Sequence, residues 1–370
     1  MKKCLSIAAV LIIIAIPLFC GAQKKSSAKA KAKDNSASNS KDKQGKDQIP
    51  PLRELCILNY KTDFSTLADK YKEDLFPKSN TKSAIHFYRG ISLLKQAMYM
   101  ESIRDFKIAR LDTNINRNMC NFFIALSYMQ LHMKDSILSI CGTTLNVPGQ
   151  ELMKPDYWNN AEFTKERVFI SYILGTNQVL TKPTDTLLID ALYSFCSREE
   201  KFLEAYYNYG AYSYNLGRYK KSIDMLVKVH DLKPPEDTLI LLDLGYMYRL
   251  SGDNVQAMKS YNLLLGASRS YMGYNNRGCL YAFMEKYKKS LSDLSTAIRR
   301  NPQGIDALCN RGLVYLKILE YKKSVADFTS SVQLKPDFSD GYYYRGFALK
   351  AMGDYANSVG DFSRALQLKK

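Results

Sequence analysis

The chain has 370 residues, 46% of them apolar and 24% charged, with a formal net charge of +17. That length exceeds one ordinary core and asks for two domains or an extended repeat array. The apolar share excludes a chain that is disordered throughout, and 27 tyrosines against a single tryptophan lean towards repeated helices.

Residues 1–22 read as a secretory signal. Lys2 and Lys3 precede the apolar run "CLSIAAVLIIIAIPLF", and "CGAQ" follows it, giving the basic, apolar and small-residue regions of an export signal. Cleavage after Ala22 leaves Gln23 as the new N-terminus. Two rivals stand beside it: a lipoprotein anchored through Cys20, which Phe19 before the cysteine disfavours, and an uncleaved anchor. The expected location is therefore exported, periplasmic or envelope-associated.

Residues 23–49 form a Lys/Ser-rich linker. Its first 26 residues carry eight Lys and three Asp, with no aromatic or large aliphatic side chain. Such a stretch has nothing to bury and is expected to be a disordered spacer. Its charge leaves room for peripheral association with an anionic membrane. The mature chain keeps six cysteines, Cys56, Cys120, Cys141, Cys196, Cys279 and Cys309. Their spacing shows no pairing, and they read as small residues on helix faces, although export would permit disulfides.

Residues 50–198 read as an N-terminal helical region. Residues 50–78 supply a capping helix or two. One clear repeat unit covers 83–116, a degenerate one lies around Ala125 to Ser136, and 158–198 form two helices with a long loop between them. Residues 199–370 hold five consecutive units. Glycine anchors mark them: Gly90, Gly210, Gly245, Gly278, Gly312 and Gly346. A small residue stands twelve positions after each, a Tyr nine after all but one, and a large apolar residue sixteen after. Pro234, Pro302 and Pro336 stand 24 after three of them. The pattern predicts antiparallel helix pairs, with small residues where the helices approach, a Tyr plugging the turn, and proline ending the second helix. Anchor spacings of 33–35 residues mark a stacked solenoid.

A second rule sits inside the first. Arg89, Arg277, Arg311 and Arg345 precede their glycines, and Asp105, Asp293, Asp327 and Asp361 follow 16 residues after each arginine. Units with Tyr209 or Leu244 in place of the arginine carry Met225 or Ser260 in place of the Asp. Joint presence and joint absence predict an Arg–Asp ion pair between the two helices.

The positions Gly312, Tyr315, Tyr321, Ser324, Phe328 and Pro336 resemble the tetratricopeptide repeat family closely. The resemblance implies an all-α fold, a right-handed α-solenoid of stacked helix-turn-helix units. It also implies that the first helix of each unit lines a concave groove in which peptides or helices lie. Carried onto this sequence, the groove positions are Tyr207, Tyr214, Tyr246, Arg249, Asn275, Lys317, Tyr343 and Lys350. Aromatic faces and scattered cations suit a peptide with apolar and acidic groups. The family's carboxylate clamp is not expected, because Asn275 is followed by Cys309 and Tyr343 at the equivalent positions.

No catalytic constellation stands out. His86, His132 and His230 are far apart, and no HExxH, GxSxG, phosphate loop or CxxC pair is present. The chain is read as not an enzyme, with no catalytic residues, cofactor or metal site. Lysines spread over turns, as in the threefold "YKKS", read as solvated edges and not as a nucleic-acid surface. The expected function is an exported scaffold binding a protein or peptide partner, in assembly of an envelope complex. The alternative is an envelope factor handling cell-wall glycan or another polymer. The last unit ends at "SRALQLKK", so self-association through an uncovered C-terminal end is also expected.

Overall fold

The computed structural model describes residues 52–62, 70, 76–78, 81–232 and 238–369. The signal, the whole linker and Pro234 lie outside the described residues. All that is described falls within one unit, residues 49–370. It is an α-solenoid, with seventeen α-helices among the described residues.

Helix α1 (Lys82–Lys95) pairs with α2 (Tyr99–Ala109), and α3 (Arg117–Gln130) with α4 (Lys134–Leu145). A short α5 (Pro155–Asn160) packs on the pair α6 (Lys165–Thr181) and α7 (Thr186–Cys196). Five regular pairs follow: α8 (Leu203–Asn215) with α9 (Tyr219–Leu232), α10 (Leu239–Leu250) with α11 (Asn254–Ala267), α12 (Tyr271–Phe283) with α13 (Tyr287–Arg300), α14 (Ile305–Lys317) with α15 (Tyr321–Leu334), and α16 (Ser339–Ala351) with α17 (Tyr355–Leu368). From α10 to α16, the first helices of successive pairs approach one another more closely than the second helices do, so they line the inner face.

The anchor glycines make room chiefly for the residue sixteen later. A Cβ on Gly245 would lie 2.3 Å from the Tyr261 ring, and one on Gly278 2.8 Å from Leu294. The serine twelve later serves the same seam differently: Ser102, Ser324 and Ser358 each donate to the carbonyl of their glycine at 2.9 Å. Seven residues after each anchor the backbone turns left-handed, at Ala97, Gly217, Gly252, Glu285, Leu319 and Gly353. The next amide bonds back five residues, as Asp253 N to Tyr248 O at 2.8 Å and Glu320 N to Tyr315 O at 2.8 Å. This closes each first helix with a Schellman cap. Glycine fills that position in three units, and in the other three a side chain tolerates the conformation.

The Arg–Asp rule holds in all four units. Each guanidinium is bidentate, with Arg311 at 2.9 and 2.7 Å from Asp327 and Arg277 at 2.7 and 2.9 Å from Asp293. Arg311 also reaches Ser295 of the preceding unit at 3.1 Å, and Arg345 reaches Thr329 at 3.4 Å. The pairs therefore tie neighbouring units as well as the two helices of one unit. Arg311→Ala strands a buried Asp327 carboxylate and is expected to cost about 1–3 kcal/mol. Chemical denaturation of the single and double variants checks this. Asp327→Ala on top should add less than its own single cost, and strict additivity would mean the pair is uncoupled.

Two expectations about the N-terminal region are corrected. The connection between α6 and α7 is not long: only residues 182–185 separate them. Of the region expected to supply a capping helix or two, residues 63–69 and 71–75 lie outside the described residues, and residues 52–62 are not helical. They run extended, without helical structure, because their backbone is engaged by side chains far along the chain. The six cysteines are all free, five of them buried and Cys56 half-buried.

Candidate functional site: a backbone-reading groove

Residues 52–61 cross the inner face of the regular array as an extended strap, running antiparallel to the order of the units. Arg53 N donates to Asn310 Oδ1 at 2.7 Å, and Asn310 Nδ2 returns a bond to Arg53 O at 2.9 Å. Leu55 N donates to Asn276 Oδ1 at 2.8 Å, and Asn276 Nδ2 donates to Leu55 O at 2.7 Å. Ile57 N donates to Asp243 Oδ1 at 2.8 Å. Lys61 N donates to Asn208 Oδ1 at 2.5 Å, and Asn208 Nδ2 donates to Lys61 O at 2.6 Å. The four ladder residues are each two positions before an anchor glycine, one on each of α8, α10, α12 and α14. A helix pair repeats them, so the row is a consequence of the repeat itself.

An asparagine amide offers one acceptor and a donor pair, which matches the N–H and C=O of one extended residue. Asp243 can only accept, and it takes the Ile57 amide and the Cys56 thiol, the latter at 3.2 Å. All four ladder side chains are fully buried beneath the strap. Asn275 joins them, donating to Arg53 O at 3.0 Å and accepting from Asn310 at 2.9 Å. Tyr172 on α6 donates to Lys61 O at 2.8 Å.

The strap's side chains are held selectively. Glu54 is ion-paired with Arg249, and Tyr261 donates to it at 3.4 Å; its side chain is 3% exposed. Arg53 meets Asp340 at 2.5 Å and lies over the Phe338 ring at 4.6 Å, with Asp306 at 4.0 Å. Leu52 packs on the small C-terminal core around Leu313 and Phe328, while Cys56, Ile57, Leu58 and Tyr60 pack on the large N-terminal one. Asn215 donates to the Tyr60 hydroxyl at 2.6 Å.

Burial pushes the Glu54 carboxyl up from 4.5 to about 7, against the pull of Arg249. A strap free in water returns it to its ordinary value. Docking is thus favoured most below pH 4.5, and that contribution fades as pH rises through 7. Amide-exchange protection factors at Leu55 and Ile57 are expected to be higher at pH 5 than at pH 8. Glu54→Gln should flatten the difference; an unchanged profile in that variant would remove Glu54 as its source.

The residues singled out from the sequence divide into two groups. Arg249 pairs with Glu54, Asn275 holds the Arg53 carbonyl, and Tyr207 carries the Lys61 ammonium 5.0 Å above its ring. Tyr214 and Tyr246 pack edge to face at 6.1 Å, with Arg249 over Tyr246 at 5.4 Å. Lys317 lines a cavity of about 310 Å³ beside the strap, together with Leu52, Glu54, Arg249 and Phe283. Tyr343 instead packs on Tyr344 and Phe362 near the array's end, and Lys350 is exposed in the last turn of α16. The ladder residues Asn208, Asp243, Asn276 and Asn310 were missed. Their signal is in the sequence, as an Asn or Asp two before the glycine in four successive units, one position after the inner-face site occupied by Asn275, Cys309 and Tyr343.

The tetratricopeptide repeat model matches residues 203–235 and 273–303, which are the pairs α8–α9 and α12–α13. These helix pairs are tetratricopeptide repeats. Tetratricopeptide repeats are interaction modules, and this array is a protein-binding scaffold by fold. No curated protein matches the chain. Among solved structures, a crystal structure of MamA is 25% identical, covering 43% of this chain and 94% of its own, at a TM-score of 0.39. A MamA structure from Desulfovibrio magneticus RS-1 is 18% identical, covering 45% and 94%, at 0.41.

Proposed function

We propose that the protein is an exported scaffold whose tetratricopeptide groove holds an extended segment of a partner protein, in assembly of an envelope complex. The observation that carries this reading is the ladder of Asn208, Asp243, Asn276 and Asn310, which engages polypeptide backbone at one residue per unit. The row also links neighbouring helices, Asn310 donating to Asn275 at 2.9 Å and Asn208 to Thr176 at 3.1 Å, but its paired N–H and C=O contacts are with the strap's main chain. It fits main chain, and it is indifferent to the side chains that main chain carries. Export rests on residues 1–22, and intact mass of the secreted chain tests cleavage before Gln23 against lipid on Cys20.

The binding reading is tested by capture from the protein's own envelope with a photocrosslinker placed at Phe283, beside the groove. Crosslinks that disappear in the Asn208→Ala, Asn276→Ala, Asn310→Ala triple variant, with helical circular dichroism unchanged, support it. Crosslinks that persist in the triple variant place partner binding elsewhere and defeat it.

A further inference from the structure

We infer that residues 52–61 are a tethered stand-in for the partner, and that the partner's segment carries the same charge order: a basic residue directly followed by an acidic one, then aliphatics. This rests on the groove-binding reading above and adds to it a competitor and a sequence preference.

Three observations carry it. First, the strap's hydrogen bonds on the ladder are all to side chains; the helix pairs close on each other through their own contacts. The solenoid's packing thus continues beneath the strap, and the polar row it covers is one that water or another main chain can satisfy. Second, two adjacent subsites have opposite sign. Asp306, Asp340 and the Phe338 face take the cation at 53, and Arg249 with Tyr261 takes the acid at 54. Exchanging the two charges would put an acid among carboxylates and a cation against Arg249, and the second of these clashes is buried. Selectivity between such segments comes chiefly from that repulsion. Third, the cavity beside Leu52 and Glu54 is open, lined by Arg249, Phe283, Tyr287 and Lys317. It offers an incoming segment a foothold next to the buried acid before the strap has left.

The strap therefore occupies its own groove until a segment of matching chemistry takes its place. Because it is part of the chain, its effective concentration is high, and a partner must exceed it in affinity or in local concentration.

The test uses the full chain and fluorescein-labelled ten-residue peptides. One has the sequence of residues 52–61; a second carries Arg53→Glu with Glu54→Arg. Each is titrated into the wild type and into Ile57→Asp, which puts a carboxylate where Ile57 packs on the apolar core and so loosens the strap. The matched peptide is expected to bind Ile57→Asp at least tenfold tighter than wild type. The exchanged peptide is expected to bind at least tenfold more weakly, and to recover when Arg249→Glu is added. Circular dichroism and amide exchange confirm that the helices are intact and the strap open in both variants.

Equal binding of the two peptides would overturn the charge order while leaving a backbone-reading groove. Equal binding to wild type and Ile57→Asp would overturn the strap as competitor. So would strap amides that exchange in the wild type only through global unfolding. If the open groove takes neither peptide, the groove-binding reading falls as well.

Discussion

Arg249→Ala should release the strap above neutral pH. Removing one partner of a buried ion pair costs about 3–5 kcal/mol when the other charge stays buried. Here Glu54 sits on a segment that can leave, so the loss is capped by the strap's docking energy and appears as opening, with the helices intact. Protection factors at Leu55 and Ile57 are expected to drop by about a hundredfold or more at pH 8. At pH 5 the Glu54 carboxyl is neutral when docked, and the drop should be smaller. Glu54→Leu in the same background removes the charge and should restore protection at both pH values. Protection that survives Arg249→Ala at pH 8 would show that the ion pair does not hold the strap.

The second large effect is expected from Asn276→Ala combined with Asn310→Ala. Four strap hydrogen bonds disappear, two at Arg53 and two at Leu55. At about 0.5–1.5 kcal/mol net per bond, and with water able to replace them on an open strap, docking should weaken by about 2–4 kcal/mol. Asn276→Asp keeps the acceptor for Leu55 N but turns a buried carboxylate oxygen towards the Leu55 carbonyl, so it should open the strap at least as far as Asn276→Ala. Amide exchange reads all three. An Asn276→Asp variant as closed as the wild type would mean that the amide acts through packing and not as a donor and acceptor pair.

The regular units were legible because each rule repeats. Six glycines at fixed offsets from serines and large apolar residues gave the helix pairs, and the joint presence of Arg and Asp gave four ion pairs that the structure contains. The left-handed turn was harder to see, since Ala97, Glu285 and Leu319 stand where glycine would announce it. The strap was invisible for a different reason. Its conformation is set by partners 111 to 287 residues away, so no local period records it, and "LRELCILNYK" reads as readily as a short helix. The two helices α6 and α7 were expected, but their short connection was not, because no glycine there carries the offsets of the other anchors. Of the groove residues, Arg249 and Asn275 were reachable through the family's inner-face positions, yet what they contact could not be read from those positions.

The direction of the strap has a consequence for the order in which the molecule is made. Arg53 is synthesised before every helix of the array, while Asn310 and Asp340, its partners, come near the end. The Arg53 end of the strap must wait as a bare segment through almost the whole of translation. Closing a loop of more than 250 residues costs entropy that only the finished inner face can offset. Each newly completed unit adds a rung, beginning with Asn208 and ending with Asn310, so the groove is assembled from the strap's C-terminal end backwards. During that interval the Arg249 subsite stands open before the Asp306 and Asp340 subsite exists, and a competing segment would meet it with the strap only partly engaged. The first occupant of the groove is thereby a matter of timing as well as affinity.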